Sequence, residues 1–246
     1  MAIVVFAPTE IEFNSFRSVL DSCNYRSKTK ASGTCGSNRI DICLTGMGPK
    51  NSLQNSRLFL RNQRADFVLI SGLAAGLVKE CRVGSVALYY ECLSLQAASN
   101  CLKFDQGLGS LVKKALTEAD IEVTEGRTVT VSKVVSTKEE KRELAENYQA
   151  IALDMETHSL ATACFEEGLP CVAFRTISDG SETDIPDFGS AFDEQFNTNN
   201  AKLLLKLAAH PVLSTRFIID LRKALKALRK SLRTVLQTDF SKWSLD

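Results

Sequence analysis

The chain has 246 residues, of which 44% are hydrophobic and 24% are charged, and its formal net charge is +1. This composition predicts one folded domain with ample material for a core, and it excludes an intrinsically disordered chain. A net charge so close to zero creates no overall field that attracts nucleic acid, so we expect no nucleic-acid partner.

The amino terminus, MAIVVFAPTE, lacks the basic start and the cleavage site of a signal peptide. No stretch reaches the roughly 20 apolar residues of a membrane-spanning helix. These features predict a cytoplasmic protein. The eight cysteines show no CxxC spacing and only two histidines are present, so we expect free thiols, no metal site and no cofactor.

Short β-rich runs alternate with helical patterns along the chain. Most of these runs are continuously apolar, which indicates strands that helices cover on both faces. The predicted strands are 3–7, 40–45, 67–71, 86–90, 128–135, 151–153 and 171–177, and the predicted helices are 10–23, 50–62, 137–148, 156–167, 201–209 and 211–237. The order predicts an α/β fold of three layers, with a central mixed, largely parallel twisted sheet over residues 1–200 and a helical extension over 201–246.

Two of the helices carry end signals. Thr137 followed by Glu140 predicts a capping box that begins one helix. Gly168, followed by Pro170, predicts the end of the helix 156–167, because glycine suits the C-terminal turn and proline prevents the helix from continuing.

The carboxy-terminal helix, 211–237, is basic and amphipathic. Its apolar residues recur at helical spacing, while seven lysines and arginines stand against the single acid Asp220. Two interpretations are open: the apolar stripe covers the core of the domain, or it lies on an anionic membrane surface. The pattern alone favours the packed helix, because such helices are common in soluble domains.

Acidic and small residues follow four of the predicted strands. In parallel sheets, functional sites form at the carboxyl ends of the strands. Glu10 and Glu12 follow the first strand, the turn 71–76 follows the third, Asp179 follows the last, and Glu156 lies between a strand and a helix. Each has a structural alternative, as a first-turn acid, a tight turn or a helix N-cap. Together, four converging strand ends predict a site.

The same segments resemble the nucleoside phosphorylase and nucleosidase superfamily, from Ile3 to about Phe188. Within it, the chain is most similar to the methylthioadenosine and adenosylhomocysteine nucleosidases, in which water is the nucleophile. The most specific matches are the segments around Asp154 and Asp179. The matching segments are APTEIE (7–12), TGMG (45–48), SGLAAG (71–76), ALDME (152–156) and RTISD (175–179).

This resemblance implies an enzyme that cleaves the bond between adenine and the ribose of a small-molecule purine nucleoside. In that family the residue matching Asp179 protonates the purine at N7, and the one matching Glu12 orients or deprotonates the water. The residues matching Met155 and Glu156 hold the ribose. The resemblance implies the same roles here, with Ser178 at the purine.

Two further pairs belong to the predicted site. Val134 and Val135, at the end of predicted strand 128–135, are expected to contact the purine through backbone groups. Gly72 and Leu73 form the turn on the side of the nucleophile. The chemistry is consistent, because a protonated acid lets adenine depart as a neutral base and a carboxylate on the opposite face activates water.

Water is favoured over phosphate as the nucleophile. A phosphorylase needs arginines or a hydroxyl-rich nest beside the ribose, but the segments 45–50 and 71–77 contain no arginine. Leu73 stands where relatives usually carry serine or threonine. The alternatives are a phosphate-dependent purine nucleoside phosphorylase and a catalytically silent nucleoside-binding module, for which Leu73 is the argument.

The basic tail beyond Pro186 resembles a subgroup linked to hopanoid biosynthesis, which is proposed to remove adenine from adenosylhopane. This resemblance implies a 5′-substituted adenosine with a large apolar group and a peripheral contact of 211–237 with the inner face of the membrane. A partner-binding role of the tail is the alternative. We also expect a homodimer.

Overall fold

The structure, a computed structural model, describes residues 1–96, 101–189 and 208–243. Its strands are β1 Ala2–Ala7, β2 Ser22–Ser27, β3 Lys30–Cys35, β4 Asn38–Leu44, β5 Phe67–Ile70, β6 Leu73–Gly76, β7 Val86–Ser94, β8 Leu102–Lys103, β9 Val123–Thr130, β10 Ala150–Asp154 and β11 Cys171–Asp179. Its helices are α1 Glu10–Arg17, α2 Pro49–Leu60, α3 Gln106–Glu118, α4 Lys138–Tyr148, α5 Thr157–Glu166 and α6 Pro211–Leu236.

The strands form one mixed sheet in the order β2-β3-β4-β1-β5-β11-β6-β10-β9-β7-β8. Its centre, from β4 through β1, β5 and β11 to β6, is parallel. Since β11 also pairs with β7, the strands β11, β6, β10, β9 and β7 close into a ring. The predicted α/β fold with a mixed, largely parallel central sheet is confirmed.

Helices cover both faces of the sheet. One apolar cluster joins α1, α3 and α6 to one face, and a second joins α2 and α5 to the opposite face. The inner strands are therefore continuously apolar, because each side chain meets a helix whichever way it points. The predicted boundary near residue 200 and most of the predicted helix 201–209 lie outside the described residues.

Several elements differ from the sequence-based prediction. Helix α1 ends at Arg17 rather than at residue 23, because the chain turns at Ser18 and then forms the exposed strand β2. Strands β2, β3, β6 and β8 and helix α3 were not predicted. Their sequences are polar, short or interrupted by glycine, so they lack the continuous apolar pattern that marks the other elements.

Strand β9 ends earlier than predicted. The expected strand 128–135 stops at Thr130, and residues 131–135 form an irregular segment. Val134 and Val135 therefore lie after the strand, not at its end. Val135 is buried in an apolar cluster against which Leu144 and Tyr148 of α4 pack, whereas Val134 is half-buried. The run of valines suggested strand hydrogen bonds, but residues 131–135 instead pack beside α4.

The predicted helix ends are confirmed. Thr137 Oγ1 accepts the amide of Glu140 at 3.2 Å, and the Glu140 carboxylate accepts the amide of Thr137 at 3.4 Å, which completes the capping box of α4. Gly168 has a positive φ of 65° after α5. The amide of Leu169 then bonds back to the carbonyl of Cys164 at 2.9 Å, which closes the last turn.

Helix α6 divides into two halves. In its second half Leu228, Leu232 and Val235 are fully buried in the core. In its first half Val212 is 81% exposed and Ile219 is 60% exposed. The second half therefore packs on the core as the packed-helix interpretation expects, whereas the first half is packed only in part, through Ser214 and through Phe217 against Phe188. Among the described residues, no helix has the length and apolar content needed to cross a membrane.

Candidate active site

The first carboxylate of the site is that of Glu12, in the first turn of α1 after β1. Its Oε2 accepts the amide of Thr9 at 3.0 Å and the Thr9 hydroxyl at 2.6 Å, as in a capping box. Its Oε1 accepts the amide of Leu73 at 2.8 Å, although these residues are 61 positions apart. The helix cap thus fixes a buried carboxylate against the end of another strand.

The turn before β6 brings the backbone close to this carboxylate. Gly72 has φ 149°, and a Cβ at this position would lie 2.4 Å from Glu12 Oε1 and 2.6 Å from Arg175 Nη1. Only glycine permits this approach. Leu73 contributes through its backbone, since its amide donates to Glu12 and its carbonyl lies 3.4 Å from Arg175 Nη1.

Asp154 and Glu156 lie at the junction of β10 and α5 and have different tasks. Asp154 Oδ1 accepts the amides of Glu156 and Thr157 at 3.0 and 2.8 Å, so Asp154 caps the helix. Glu156 makes no capping bond with its side chain. Its Oε1 instead accepts the amide of Gly48 at 2.9 Å. The side chain of Glu156 therefore does not cap α5, although its position at the start of the helix suggested that role.

A fully buried arginine, Arg175 of β11, joins these acids. Its guanidinium nitrogens lie 4.0 Å from Glu12 Oε1, 3.6 Å from Asp154 Oδ2 and 3.9 Å from Glu156 Oε2. Both Nε and Nη2 also donate to the hydroxyl of Thr157, at 3.2 and 3.1 Å. One cation thus faces three carboxyl groups.

The burial of this cluster changes its protonation. Burial raises the pKa of the Glu156 carboxyl to about 7, although Arg175 and the Gly48 amide act in the opposite direction. Burial also opposes the charge of Arg175, but the neighbouring carboxyls leave its pKa raised. Arg175 is therefore charged throughout the accessible pH range, while Glu156 changes its charge near neutrality.

Asp179, at the end of β11, is buried beside a second cation. Its Oδ2 accepts a hydrogen bond from Lys141 Nζ of α4 at 2.6 Å, and its Oδ1 accepts one from the Ser178 hydroxyl at 2.7 Å. No helix begins at Asp179 in the described residues, which excludes the N-cap alternative there. The carboxyl group is thus held from both sides.

Strand β6 connects the two halves of the site. At one end the backbone of Leu73 contacts Glu12 and Arg175. One residue further, the carbonyl of Ala74 accepts the Ser178 hydroxyl at 3.1 Å, beside Asp179. The carboxyl cluster and Asp179 therefore flank one short strand.

The remaining predicted residues lie around this strand. Met155 is half-buried between Asp154 and Glu156. The segment of Val134 and Val135 is anchored at both ends: the Val131 amide bonds to the Asp154 carbonyl at 2.8 Å, and the Ser136 carbonyl accepts the Ile185 amide at 2.9 Å. It runs from the carboxyl cluster to the loop after Asp179. Glu10, by contrast, is exposed and away from the cluster.

Two charged residues of the site were missed in the sequence. Arg175 interrupts the apolar run of β11, and a charge inside a buried strand signals a buried ion pair. Lys141 precedes Leu144, Ala145 and Tyr148 by three, four and seven residues, so it shares their inward face of α4. That spacing could have identified Lys141 as a buried charge in the sequence.

Comparison with protein-family models matches residues 2–210 to the phosphorylase superfamily. An aminodeoxyfutalosine nucleosidase of Helicobacter pylori is 30% identical over 151 residues, which are 56% of this chain and 65% of the relative. The chain thus spans less than two thirds of that relative. A 5′-methylthioadenosine/S-adenosylhomocysteine nucleosidase of Exiguobacterium is 24% identical over 189 residues, or 70% of this chain and 81% of the relative.

Solved structures show the same fold. The 5′-methylthioadenosine/S-adenosylhomocysteine nucleosidase of Neisseria meningitidis, in complex with methylthio-immucillin-A, superposes with a TM-score of 0.76 at 19% identity. The alignment covers 96% of this chain and 98% of that one. A futalosine hydrolase mutant of Helicobacter pylori gives a TM-score of 0.71 at 17% identity, with 96% and 98% covered.

Proposed function

Because the chain belongs to the phosphorylase superfamily, we propose that it is a purine nucleosidase that hydrolyses the N-glycosidic bond of a 5′-substituted adenosine and releases adenine. The relatives are named as nucleosidases, which supports hydrolysis as the reaction class. The chemistry of this chain's own residues supports the same choice.

The observation that carries the proposal is the charge of the carboxyl cluster. Glu12, Asp154 and Glu156 surround the single cation Arg175, and all four groups are buried. Three acids around one cation leave a surplus of negative charge, which disfavours a phosphate dianion. A neutral water molecule meets no such repulsion, and a carboxylate acts on it as a base.

Each predicted residue has a part in this reaction. Asp179 protonates the purine at N7 as the glycosidic bond breaks, with Ser178 beside it. Glu12, on the turn of Gly72 and Leu73, activates the water. Glu156 accepts the ribose hydroxyls, and Met155 offers the sugar an apolar surface. The segment of Val134 and Val135 contacts the base. The mechanism requires neither a cofactor nor a metal.

The backbone of Leu73 supports the proposal, although its side chain differs from that of the relatives. Its contacts with Glu12 and Arg175 are made by backbone atoms. They are independent of the side chain, so a leucine preserves them. The leucine side chain still lacks the hydroxyl of serine or threonine, so the silent binding module stays the alternative that a turnover assay tests.

Adenine release from 5′-methylthioadenosine, measured with and without phosphate, tests the reaction. We expect phosphate-independent release and free 5-methylthioribose as the second product. Strict phosphate dependence, with a sugar phosphate as product, would identify a phosphorylase. We expect Asp179→Asn to abolish turnover and retain binding of the nucleoside. Binding without turnover in the wild-type chain, over a panel of 5′-substituted adenosines, would identify a silent module.

The 5′ substituent is proposed to be large and apolar, as in adenosylhopane. This proposal rests on the resemblance of the tail and on the first half of α6. There Val212, Ile218 and Ile219 are exposed, at 81%, 39% and 60%, close to the exposed cations Arg216 and Arg222. Apolar and basic side chains together suit the interface of an anionic membrane, where such a substrate would reside.

Vesicle sedimentation tests the membrane contact. Deleting α6 is unsuitable, because Leu228 and Leu232 belong to the core. We instead expect Val212→Ser with Ile219→Ser to reduce binding to phosphatidylglycerol vesicles, and Tyr25→Ser, at a 54% exposed aromatic residue of β2, to leave it unchanged. Equal binding of both variants would contradict the proposal.

We propose a cytoplasmic homodimer as the functional form. All eight cysteines are free thiols, which suits a reducing compartment. Leu58 of α2 and Phe165 of α5 are 53% and 48% exposed on the two helices that cover one face of the sheet. Light scattering after size exclusion should give the mass of a dimer, and Leu58→Glu with Phe165→Glu should give a monomer.

A further inference from the structure

Lys141 of α4 has no part in the reaction described above, yet its side chain is completely buried. Burying an ammonium group costs free energy, so buried lysines are rare unless they are fully partnered. The site of Lys141 is the inward face of α4, next to the end of β11. A lysine in such a place requires an explanation.

The ammonium group has three acceptors for its three protons. They are Asp179 Oδ2 at 2.6 Å, the Thr183 carbonyl at 2.8 Å and the Gly180 carbonyl at 3.0 Å. Only the first belongs to an ionisable side chain. Lys141 therefore meets the acid from the side of Oδ2, away from the Ser178 hydroxyl that occupies Oδ1.

Ser178 has a choice of acceptors that matters for catalysis. Its hydroxyl lies 2.7 Å from Asp179 Oδ1 and 3.1 Å from the Ala74 carbonyl, and it has one proton to donate. When this proton turns to Ala74, Oδ1 becomes free for a purine nitrogen. Lys141 keeps Oδ2 fixed in either case.

We propose that Lys141 is a positioning residue for base release, whose ammonium stabilises the carboxylate that Asp179 becomes when it gives its proton to the purine. In this step the O–H bond of Asp179 breaks and an N–H bond forms on the base. The glycosidic electron pair goes to the base, which departs neutral, and Asp179 gains a negative charge. Lys141 keeps its proton throughout. The inference rests on the proposed nucleosidase function.

A fixed cation beside a developing anion stabilises the transition state more than the ground state. The other charged groups around the pair do not replace Lys141. They include Lys138, Glu139 and Arg142 on α4, Lys79 and Glu80 in the loop after β6, Glu182 and Asp184 in the loop after β11, and Arg216 on α6, and all of these are exposed to solvent. Water screens them, whereas Lys141 is buried in contact with Asp179.

The test compares Lys141→Gln, which keeps hydrogen-bond donors but removes the charge, with Lys141→Arg, which keeps the charge. Lys138→Met is the matched control, an exposed lysine one turn earlier on the same helix. The rate of adenine release from 5′-methylthioadenosine is measured over a range of pH. Thermal melting and circular dichroism show whether each variant is folded.

We expect kcat of Lys141→Gln to fall at least about tenfold on its plateau and the alkaline limb of its pH profile to move up by about one pH unit or more, because the neighbouring cation is lost. Lys141→Arg should recover part of the rate and keep the limb at the wild-type position. Lys138→Met should match the wild type.

A uniform loss of rate in Lys141→Gln, with the limb unmoved, would overturn the inference in favour of a purely structural lysine. Wild-type kinetics in this variant would also overturn it. If Lys141→Gln does not fold, the alkaline limb of the pH profile of Lys141→Arg decides. An unmoved limb supports the proposal. A displaced limb contradicts it, because this variant retains the charge.

Binding of adenine separates this inference from the proposed function. If the wild type releases adenine from no nucleoside, the nucleosidase proposal fails. Adenine binding to the wild type, Lys141→Gln and Asp179→Asn is then titrated against pH. A pH dependence that both substitutions alter supports the link between Lys141 and Asp179 in base recognition. Absence of adenine binding, or a dependence that Lys141→Gln leaves unchanged, overturns it.

Discussion

Oε1 of Glu156 accepts a hydrogen bond of 2.9 Å from the backbone amide of Gly48, at the N-terminus of α2. The amide and Arg175 favour the ionised carboxylate, but burial outweighs them and raises the pKa of Glu156 to about 7. The residue proposed to hold the ribose is therefore divided between two protonation states at neutral pH.

This balance predicts a pH-dependent affinity. The ionised carboxylate accepts both ribose hydroxyls, whereas the protonated form has lost part of its acceptor capacity. We expect KM for 5′-methylthioadenosine to rise as pH falls through about 7, by at most about tenfold for each pH unit. Steady-state kinetics between about pH 5.5 and about pH 8.5 measure this. In Glu156→Gln, KM should be high at every pH, and a transition that persists there would assign it to another group.

A second prediction concerns Glu12. Glutamine in its place has one oxygen, which can accept from the Thr9 amide or from the Leu73 amide but not from both, and it is not a base. We expect Glu12→Gln to lower kcat by about 10²- to 10⁴-fold, and the loss of one buried hydrogen bond to lower the free energy of unfolding by about 1–3 kcal/mol. Glu10→Gln is the control, because Glu10 is an exposed acid in the same helical turn. Comparable losses in both variants would remove Glu12 from the mechanism.

The sequence was sufficient to predict the central strands and the strand ends at which the site forms. Continuous apolar runs predict β1, β5 and β11, because helices cover both of their faces. Glu12 lies in the helix that follows β1, and Asp179 is the last residue of β11. Parallel strands bring their carboxyl ends to one edge of the sheet, so position along the chain was enough to bring these residues together.

The partners of these acids were not predictable in the same way. Arg175 faces three acids from two separate segments, and Lys141 reaches Asp179 across 38 positions of the chain. Such pairings depend on which side chains meet after folding, not on local periodicity. The exposed strand β2 was not predicted for a different reason. A strand with no buried face has no alternation of apolar and polar residues in its sequence.

A third prediction follows from the position of Arg175 between the acids. Arg175→Met leaves Glu12, Asp154 and Glu156 buried without a counter-charge, which we expect to lower the free energy of unfolding by about 3–5 kcal/mol near neutral and alkaline pH. Without the cation the folded state favours protonated carboxyls. The stability of the variant is therefore retained at low pH and lost as pH rises.

Urea unfolding at about pH 5 and about pH 8 measures this difference, and the deficit should be larger at the higher pH. Arg61→Met is the control, because Arg61 pairs with Glu167 on the surface at 3.6 Å and is 65% exposed. Its loss should leave the unfolding midpoint unchanged. A deficit of Arg175→Met that is equal at both pH values would show that packing, not charge, explains the loss.

The last prediction separates two glycines by their surroundings. Gly72 has φ 149°, and an added Cβ would lie 2.4 Å from Glu12 Oε1, whereas a Cβ on Gly109 meets nothing within 4 Å. We expect Gly72→Ala to lower the free energy of unfolding by about 1–3 kcal/mol. Its kcat should fall further than this loss of stability explains, because Glu12 must move away from the Leu73 amide.

Gly109→Ala should act in the opposite direction. Gly109 lies within α3, where alanine restricts the unfolded chain and suits the helix, so we expect a gain of about 0.4–1 kcal/mol with wild-type activity. Urea unfolding and adenine release are measured on both variants. If Gly72→Ala is active and stable, Glu12 tolerates displacement. The position of its carboxylate against β6 is then not required for catalysis.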